Sequence, residues 1–197
     1  GLARIWTTPS GNTSEEHYWP LVYTAFWLQY QLWGASAFGY HLVNILLHAA
    51  NSIMVWLVLG RMRLRGAWFA GALFAVHPVH VESVAWVIEL KDVLSGLFYL
   101  SAFALWFGWI ESRRPDRYVL SVVLFALGLL VKSMVVTLPA AMLVCLWYAG
   151  FPAGRRAILS VLPYALVGAG CVVLDFLVMR DAGGTPPQLP LLERLAI

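Results

Sequence analysis

The chain has 197 residues, of which 61% are hydrophobic and only 12% charged, and its mean hydropathy is +0.76. That composition excludes an ordinary soluble domain and places the protein in a membrane. A formal net charge of +3 is too modest for a nucleic-acid footprint, and no nucleic-acid partner is implied.

In chain order, the stretch GLARIWTTPSGNTSEEHYWP is neither a signal peptide nor a span, and the chain opens on Gly1 rather than methionine. Both edges are expected to belong to a longer polypeptide. The next segment, WPLVYTAFWLQYQLWG, is aromatic and is expected to be interfacial or re-entrant, because Gln29 and Gln31 interrupt it. About six spans follow, at residues 38–60, 66–78, 92–110, 118–131, 134–150 and 157–179. The fold class is therefore all-α, a polytopic transmembrane helical bundle over 38–179, flanked by outer loops at 1–37 and 180–197. Crossing a hydrocarbon core of about 30 Å takes about 20 helical residues. The spans at 66–78, 118–131 and 134–150 reach only about 20 to 26 Å. Helices that stop early are tolerated where their ends line a water-filled cavity; local thinning of the bilayer, or boundaries drawn too short, is the competing explanation.

Basic residues set the orientation. Arg61, Arg63 and Arg65, then Arg113, Arg114 and Arg117, then Arg155 and Arg156 all fall at alternate ends of the spans, which places those ends in the cytoplasm. The opposite face receives residues 1–37, the stretch from His77 to Asp92, the break at Lys132 and Ser133, and the tail from Arg180.

Polar residues inside the spans are few and patterned. His41, Asn44, His48 and Asn51 are spaced three, four and three apart, so they share one helical face. Interhelical hydrogen bonding accounts for Asn44, His48 and Asn51, whereas His41 lies nearest the outer surface and is admitted to a candidate site. The stretch HPVHVESVAWVIELKD concentrates His77, His80 and Glu82 at a helix start, with an outer interfacial helix expected at about 79–90. Three readings compete for it. A metal site would use the two imidazoles and a carboxylate, but the spacing is not HExxH and no fourth ligand is evident. The others are a polar interfacial face without chemistry, and the wall of an active site in which a carboxylate or imidazole positions an acceptor and cations meet a phosphate. Lys91 and Lys132, the only lysines, both fall on the outer side. Lys132 interrupts LGLLVKSMVVTLP, where an ammonium needs a partner or water; a phosphate headgroup would serve, and a snorkelling or turn lysine is the competing reading. Asp175 is expected to pair with Arg180, and Cys145 and Cys171 read as small buried hydrophobes.

The segments YWPLVYTAFWLQYQLWG, GYHLVNILLHAANSIMVWLVL, ALFAVHPVHVESVAWVIELKDVLSGLFYL and VKSMVVTLP together resemble the membrane part of the transmembrane and tetratricopeptide repeat-containing proteins and their bacterial relatives. The most specific portion is HPxHxExVAW followed by KDVLS. The resemblance implies a GT-C-type glycosyltransferase that takes a sugar from a polyprenyl-phosphate carrier to a hydroxyl acceptor, serine or threonine of a protein in the animal members. Carried over residue by residue, His77, His80 and Glu82 fall on the HPxHxE pattern as catalytic candidates. Lys91, Asp92 and Lys132, with His41, fall to binding the lipid phosphate. No cofactor is required by these motifs, and a divalent metal ion is left open.

Two departures accompany the resemblance. Gln29 stands where an acid or asparagine is more usual, and Ser133 where bacterial relatives often carry proline. The acid that serves as base in such enzymes follows an earlier span, so it is expected upstream of residue 1; Glu15 and Glu16 lie in the remaining loop without a motif around them. Tetratricopeptide repeats are expected beyond residue 197. The implied location is a bacterial inner membrane with the site facing the periplasm. A non-catalytic anchor for repeat domains and a transporter lined by the His41–Asn51 stripe are the rival readings.

Overall fold

A computed structural model of the chain describes residues 2–7, 19–148 and 155–181. Glu15, Glu16, the tail from residue 182 and the Arg180 side chain lie outside the described residues. Among the described residues every regular element is helical. In chain order these are α1 (Leu2–Thr7), α2 (Pro20–Trp33), α3 (Ala37–Arg61), α4 (Ala67–Val76), α5 (Val81–Ala85), α6 (Leu90–Ser112), α7 (Pro115–Leu129), α8 (Leu138–Tyr148), α9 (Arg155–Leu159) and α10 (Leu162–Asp181). Short 3₁₀ turns cover Pro78–His80, Val87–Glu89 and Ser133–Thr137.

Three helical stretches are long and apolar enough to cross a membrane, Ala37–Arg61, Val87–Ser112 and Ala157–Leu177. Shorter apolar helices fill Ala67–Val76 and Ser133–Tyr148. The chain is a multi-pass membrane protein built as an all-α bundle, and the segments expected to be short are short. Exposed Leu46, Ile53, Trp56 and Leu57 line one side of α3, an apolar surface suited to lipid.

Proline and local backbone geometry set several helix ends. Pro20 and Pro115 open α2 and α7, where the missing N–H would be unpaired in any case. His77 precedes Pro78 and is extended, with φ −69° and ψ 128°, which stops α4 after Val76. Gln29 and Gln31 do not break α2, which runs continuously through both; Gln29 is buried and Gln31 exposed.

The outer interfacial helix expected at 79–90 is not one helix. It is the turn Pro78–His80, the short α5 and the turn Val87–Glu89, broken at Trp86, which is extended with ψ 123°. The cause comes from outside the segment. The side-chain amide of Asn44 in α3, 1% exposed, donates to the Trp86 carbonyl at 3.0 Å and lies 3.5 Å from that of Val84. It thereby satisfies backbone groups that a continuous helix would have paired internally.

The core lies where α6, α7, α8 and α10 meet. Trp106, Phe125, Leu138, Met142 and Tyr164 are fully buried there. Polar links pin the layers: Tyr164 donates to Ser121 Oγ at 2.7 Å, and Ser121 donates onward to the Ala102 carbonyl. Trp106 Nε1 donates to Ser160 Oγ at 3.1 Å. In an apolar surround such groups must be partnered, so these bonds fix which helices adjoin. Helix α4 approaches α3 closely at Gly71, where an added Cβ would lie 2.9 Å from the Ser52 carbonyl oxygen.

Candidate active site

Two cavities open at the same end of the bundle. The first, about 380 Å³, is walled by His48 and Asn51 of α3, Phe74 of α4, His80 and Ser83 of the broken segment, Asp92 and Tyr99 of α6, and Lys132 and Thr137 around the α7–α8 break. The second, about 540 Å³ and more apolar, is walled by His41, Ile45, Val76, His77, Val81 and Val84. His48 and His80 belong to both, so these two imidazoles form the partition between the cavities.

Lys132 forms an ion pair with Asp92 across the first cavity. Asp92 sits in the first turn of α6, where a carboxylate suits the positive end of the helix dipole. Lys132 caps the turn Ser133–Thr137 in an extended conformation, with φ −157° and ψ 126°. The other carboxylate oxygen of Asp92 accepts from Ser83 Oγ at 3.2 Å. The pair is neither buried nor fully solvated, with side chains 30% and 28% exposed. An ammonium interrupting an apolar run is thus held by a carboxylate 40 positions away.

The imidazoles are arranged by local hydrogen bonds. His77 Nδ1 accepts from the Val79 N–H at 3.2 Å, which puts its ring proton on Nε2. His48 Nε2 faces the Ala75 carbonyl at 3.1 Å; a carbonyl can only accept, so that nitrogen carries the proton. His80 packs against Phe74 with ring centroids 4.1 Å apart and lies 5.2 Å from His48 and 6.2 Å from His77. Burial, then the adjacent His48 and His77, hold His80 below the usual histidine pKa of 6.5. At neutral pH it is an uncharged ring with a free lone pair. Among the described residues no three histidine, cysteine, aspartate or glutamate side chains are grouped as a metal ion would need.

The site residues expected from the sequence divide accordingly. His80, Asp92 and Lys132 meet in the first cavity, while His41 and His77 line the second. Glu82 is exposed and lines neither. Lys91 also lines neither; its ammonium lies 3.3 Å from Glu89 and 5.0 Å above the Trp19 ring. Asp175 accepts from Ser133 Oγ at 2.9 Å. Ser83, Tyr99 and Thr137 were not anticipated. Ser83 carried no signal because its partner, Asp92, is nine positions away across the Trp86 break.

Residues 17–178 match the family model described as dolichyl-phosphate-mannose-protein mannosyltransferase. The chain belongs to this family. Among its relatives, the fruit-fly protein O-mannosyl-transferase Tmtc1 of Drosophila melanogaster is 35% identical over 144 residues, 72% of this chain and 16% of that protein. TMTC3 of Mus musculus is 36% identical over 142 residues, 68% of this chain and 15% of that protein. Human TMTC4 is 34% identical over 154 residues, 65% of this chain and 20% of that protein. The chain therefore spans a fifth or less of the length of these mannosyltransferase relatives. No solved structure matches it. The family match takes in both cavities and all the residues that line them.

Proposed function

We propose that the chain forms part of the reaction chamber of a membrane glycosyltransferase, which moves a sugar from a polyprenyl-phosphate carrier to a hydroxyl acceptor, serine or threonine of a protein. The observation that supports this reading best is the Lys132–Asp92 pair facing a cavity at the end of the bundle away from the arginines. By the arginine bias that end is extracytoplasmic, and residues 1–37 and the tail from 180 belong on the same side. The His41–Asn51 stripe gives little support to a transporter, since Asn44, His48 and Asn51 each contact a neighbouring backbone carbonyl.

In this reading the carrier's phosphate enters the first cavity and draws Lys132 away from Asp92. The acceptor oxygen bonds to the anomeric carbon as the bond from that carbon to the phosphate oxygen breaks. The leaving polyprenyl phosphate takes the bonding electron pair, and Lys132 offsets its charge. The acceptor's proton passes to a carboxylate, with the uncharged His80 accepting the hydroxyl's hydrogen bond on the way. Among the described residues Asp92, released from its ion pair, is the carboxylate that lines the cavity; the sequence alone assigns it to the phosphate and places the expected base upstream of residue 1. His41 and His77 belong to the adjoining apolar cavity and contact the acceptor there, while Glu82 and Lys91, which line neither cavity, have no assigned step.

The test is transfer of sugar from a polyprenyl-phosphate donor by the complete polypeptide. Lys132→Ala should lower kcat at least about 100-fold, the scale of losing one charge-stabilising donor, while Arg63→Ala leaves it unchanged. Normal turnover by a folded Lys132→Ala protein would overturn the reading.

A further inference from the structure

At the opposite end of α6 two arginines converge without an acidic partner. Gly108 is buried, and a Cβ placed on it would lie 3.1 Å from Nη1 of Arg117 and 3.4 Å from Nη1 of Arg61. Two guanidinium groups from different helices, α3 and α7, therefore approach one point on α6 closely enough for a single phosphate to bridge them. Neither forms an ion pair among the described residues. Arg61 donates to the Ala104 carbonyl at 3.3 Å and Arg117 to that of Gly108 at 3.2 Å. Those carbonyls lie about two turns and one turn before the end of α6 and orient the two guanidinium groups. They do not neutralise two full charges, and each guanidinium has five N–H donors of which one is used.

The surroundings identify the anion. Arg63, Arg65, Arg113 and Arg114 are exposed near the same helix ends; Arg114 pairs with Asp116 at 3.0 Å and Arg113 lies 5.0 Å above the Trp109 ring. Arg61 is exposed and Arg117 half-buried, so the pair opens outward to the membrane surface rather than into the core. Two converging guanidinium groups between helix ends, on the side where basic residues gather, suit a lipid phosphate. We infer that Arg61 and Arg117, brought together over Gly108, clamp the phosphate of an anionic phospholipid on the face of the bundle opposite the candidate active site. The site is separate from the Lys132 cavity, and it stands whether or not the chain takes part in sugar transfer.

The experiment is native mass spectrometry of the full chain released from nanodiscs containing equal parts phosphatidylglycerol and phosphatidylcholine. The chain should retain phosphatidylglycerol preferentially. Arg61→Lys with Arg117→Lys keeps the charge but loses the fork, and should cut retention at least about tenfold; Arg63→Lys with Arg65→Lys should not. Gly108→Ala should weaken retention by separating the two guanidinium groups, and Lys132→Ala should leave it intact. Equal retention of the two lipids, or retention unchanged in both the Arg61/Arg117 double variant and Gly108→Ala, would overturn the inference. Displacement of phosphatidylglycerol by millimolar inorganic phosphate would overturn its assignment to a lipid.

Discussion

Removing Lys132 while Asp92 remains is the most informative perturbation of the cavity. Asp92 would keep only the Ser83 hydroxyl, at 3.2 Å. Exposed ion pairs contribute about 0–1 kcal/mol, whereas breaking a fully buried pair costs about 3–5 kcal/mol because a charge is left uncompensated. At 30% and 28% exposure this pair lies between those limits. Lys132→Ala should therefore destabilise the bundle by about 2 kcal/mol, which lowers the unfolding midpoint by about 4–8 °C for a chain of this size. Asp92→Asn should be milder, because the Asn side chain can still accept from Ser83. The double variant Asp92→Asn/Lys132→Ala should recover much of the loss, with a coupling of about 1–2 kcal/mol. Thermal unfolding in a non-ionic detergent, followed by tryptophan fluorescence, reads all four proteins. Additive single and double variants, within about 0.5 kcal/mol, would refute both the ion pair and the partner exchange built on it.

Asn44→Ala should orphan the Trp86 carbonyl at a cost of about 1–3 kcal/mol, and hydrogen exchange should rise selectively across 78–89 rather than in α6. Tyr164→Phe removes the 2.7 Å bond to Ser121 from the core; about 1 kcal/mol of stability should be lost, visible as a lower midpoint in the same unfolding assay. For His80 the folded-state pKa lies below the unfolded 6.5, so the unfolded chain binds more protons between those two values. Its contribution is complete above pH 6.5 and is lost as pH falls through the folded value. His80→Gln should flatten the decline of the unfolding midpoint between about pH 7.5 and about pH 5; an unchanged slope would show that His80 is not the titrating group.

The parts of this structure legible in the sequence rest on local periodicity and charge. The stripe His41, Asn44, His48 and Asn51 follows from spacing within one helix, and three of its members contact neighbouring backbone as a polar face in a bundle must. The short spans were legible because length is a local quantity. What could not be read depends on which distant residues meet. The break at Trp86 is imposed by Asn44, 42 positions earlier, and nothing in VHVESVAWVIEL announces it. Asp92 and Lys132 were both assigned to phosphate binding, yet their pairing is a tertiary fact that no spacing encodes. Lys91 looked equivalent to Lys132 by residue type and side of the membrane, but its helix position turns it toward Glu89 and Trp19.

Helix α6 organises both charged sites. Its first turn carries Asp92, where a carboxylate suits the helix dipole, and its C-terminal half offers the Ala104 and Gly108 carbonyls to Arg61 and Arg117. Lys132 is the exception, a cation drawn to the positive end, and it is tolerated there because Asp92 answers it. On the proposed reading an incoming phosphate would meet both Lys132 and the N-terminal dipole of α6, with Asp92 as the only opposing charge among the described residues on that cavity's wall. Arg61 and Arg117 differ in having carbonyls but, among the described residues, no carboxylate against them, so an anion arriving there displaces no ion pair seen among those residues. On this argument the arginine end should hold its phosphate statically, while the lysine end, where binding must first break a pair, is suited to a phosphate that arrives and leaves with each turnover.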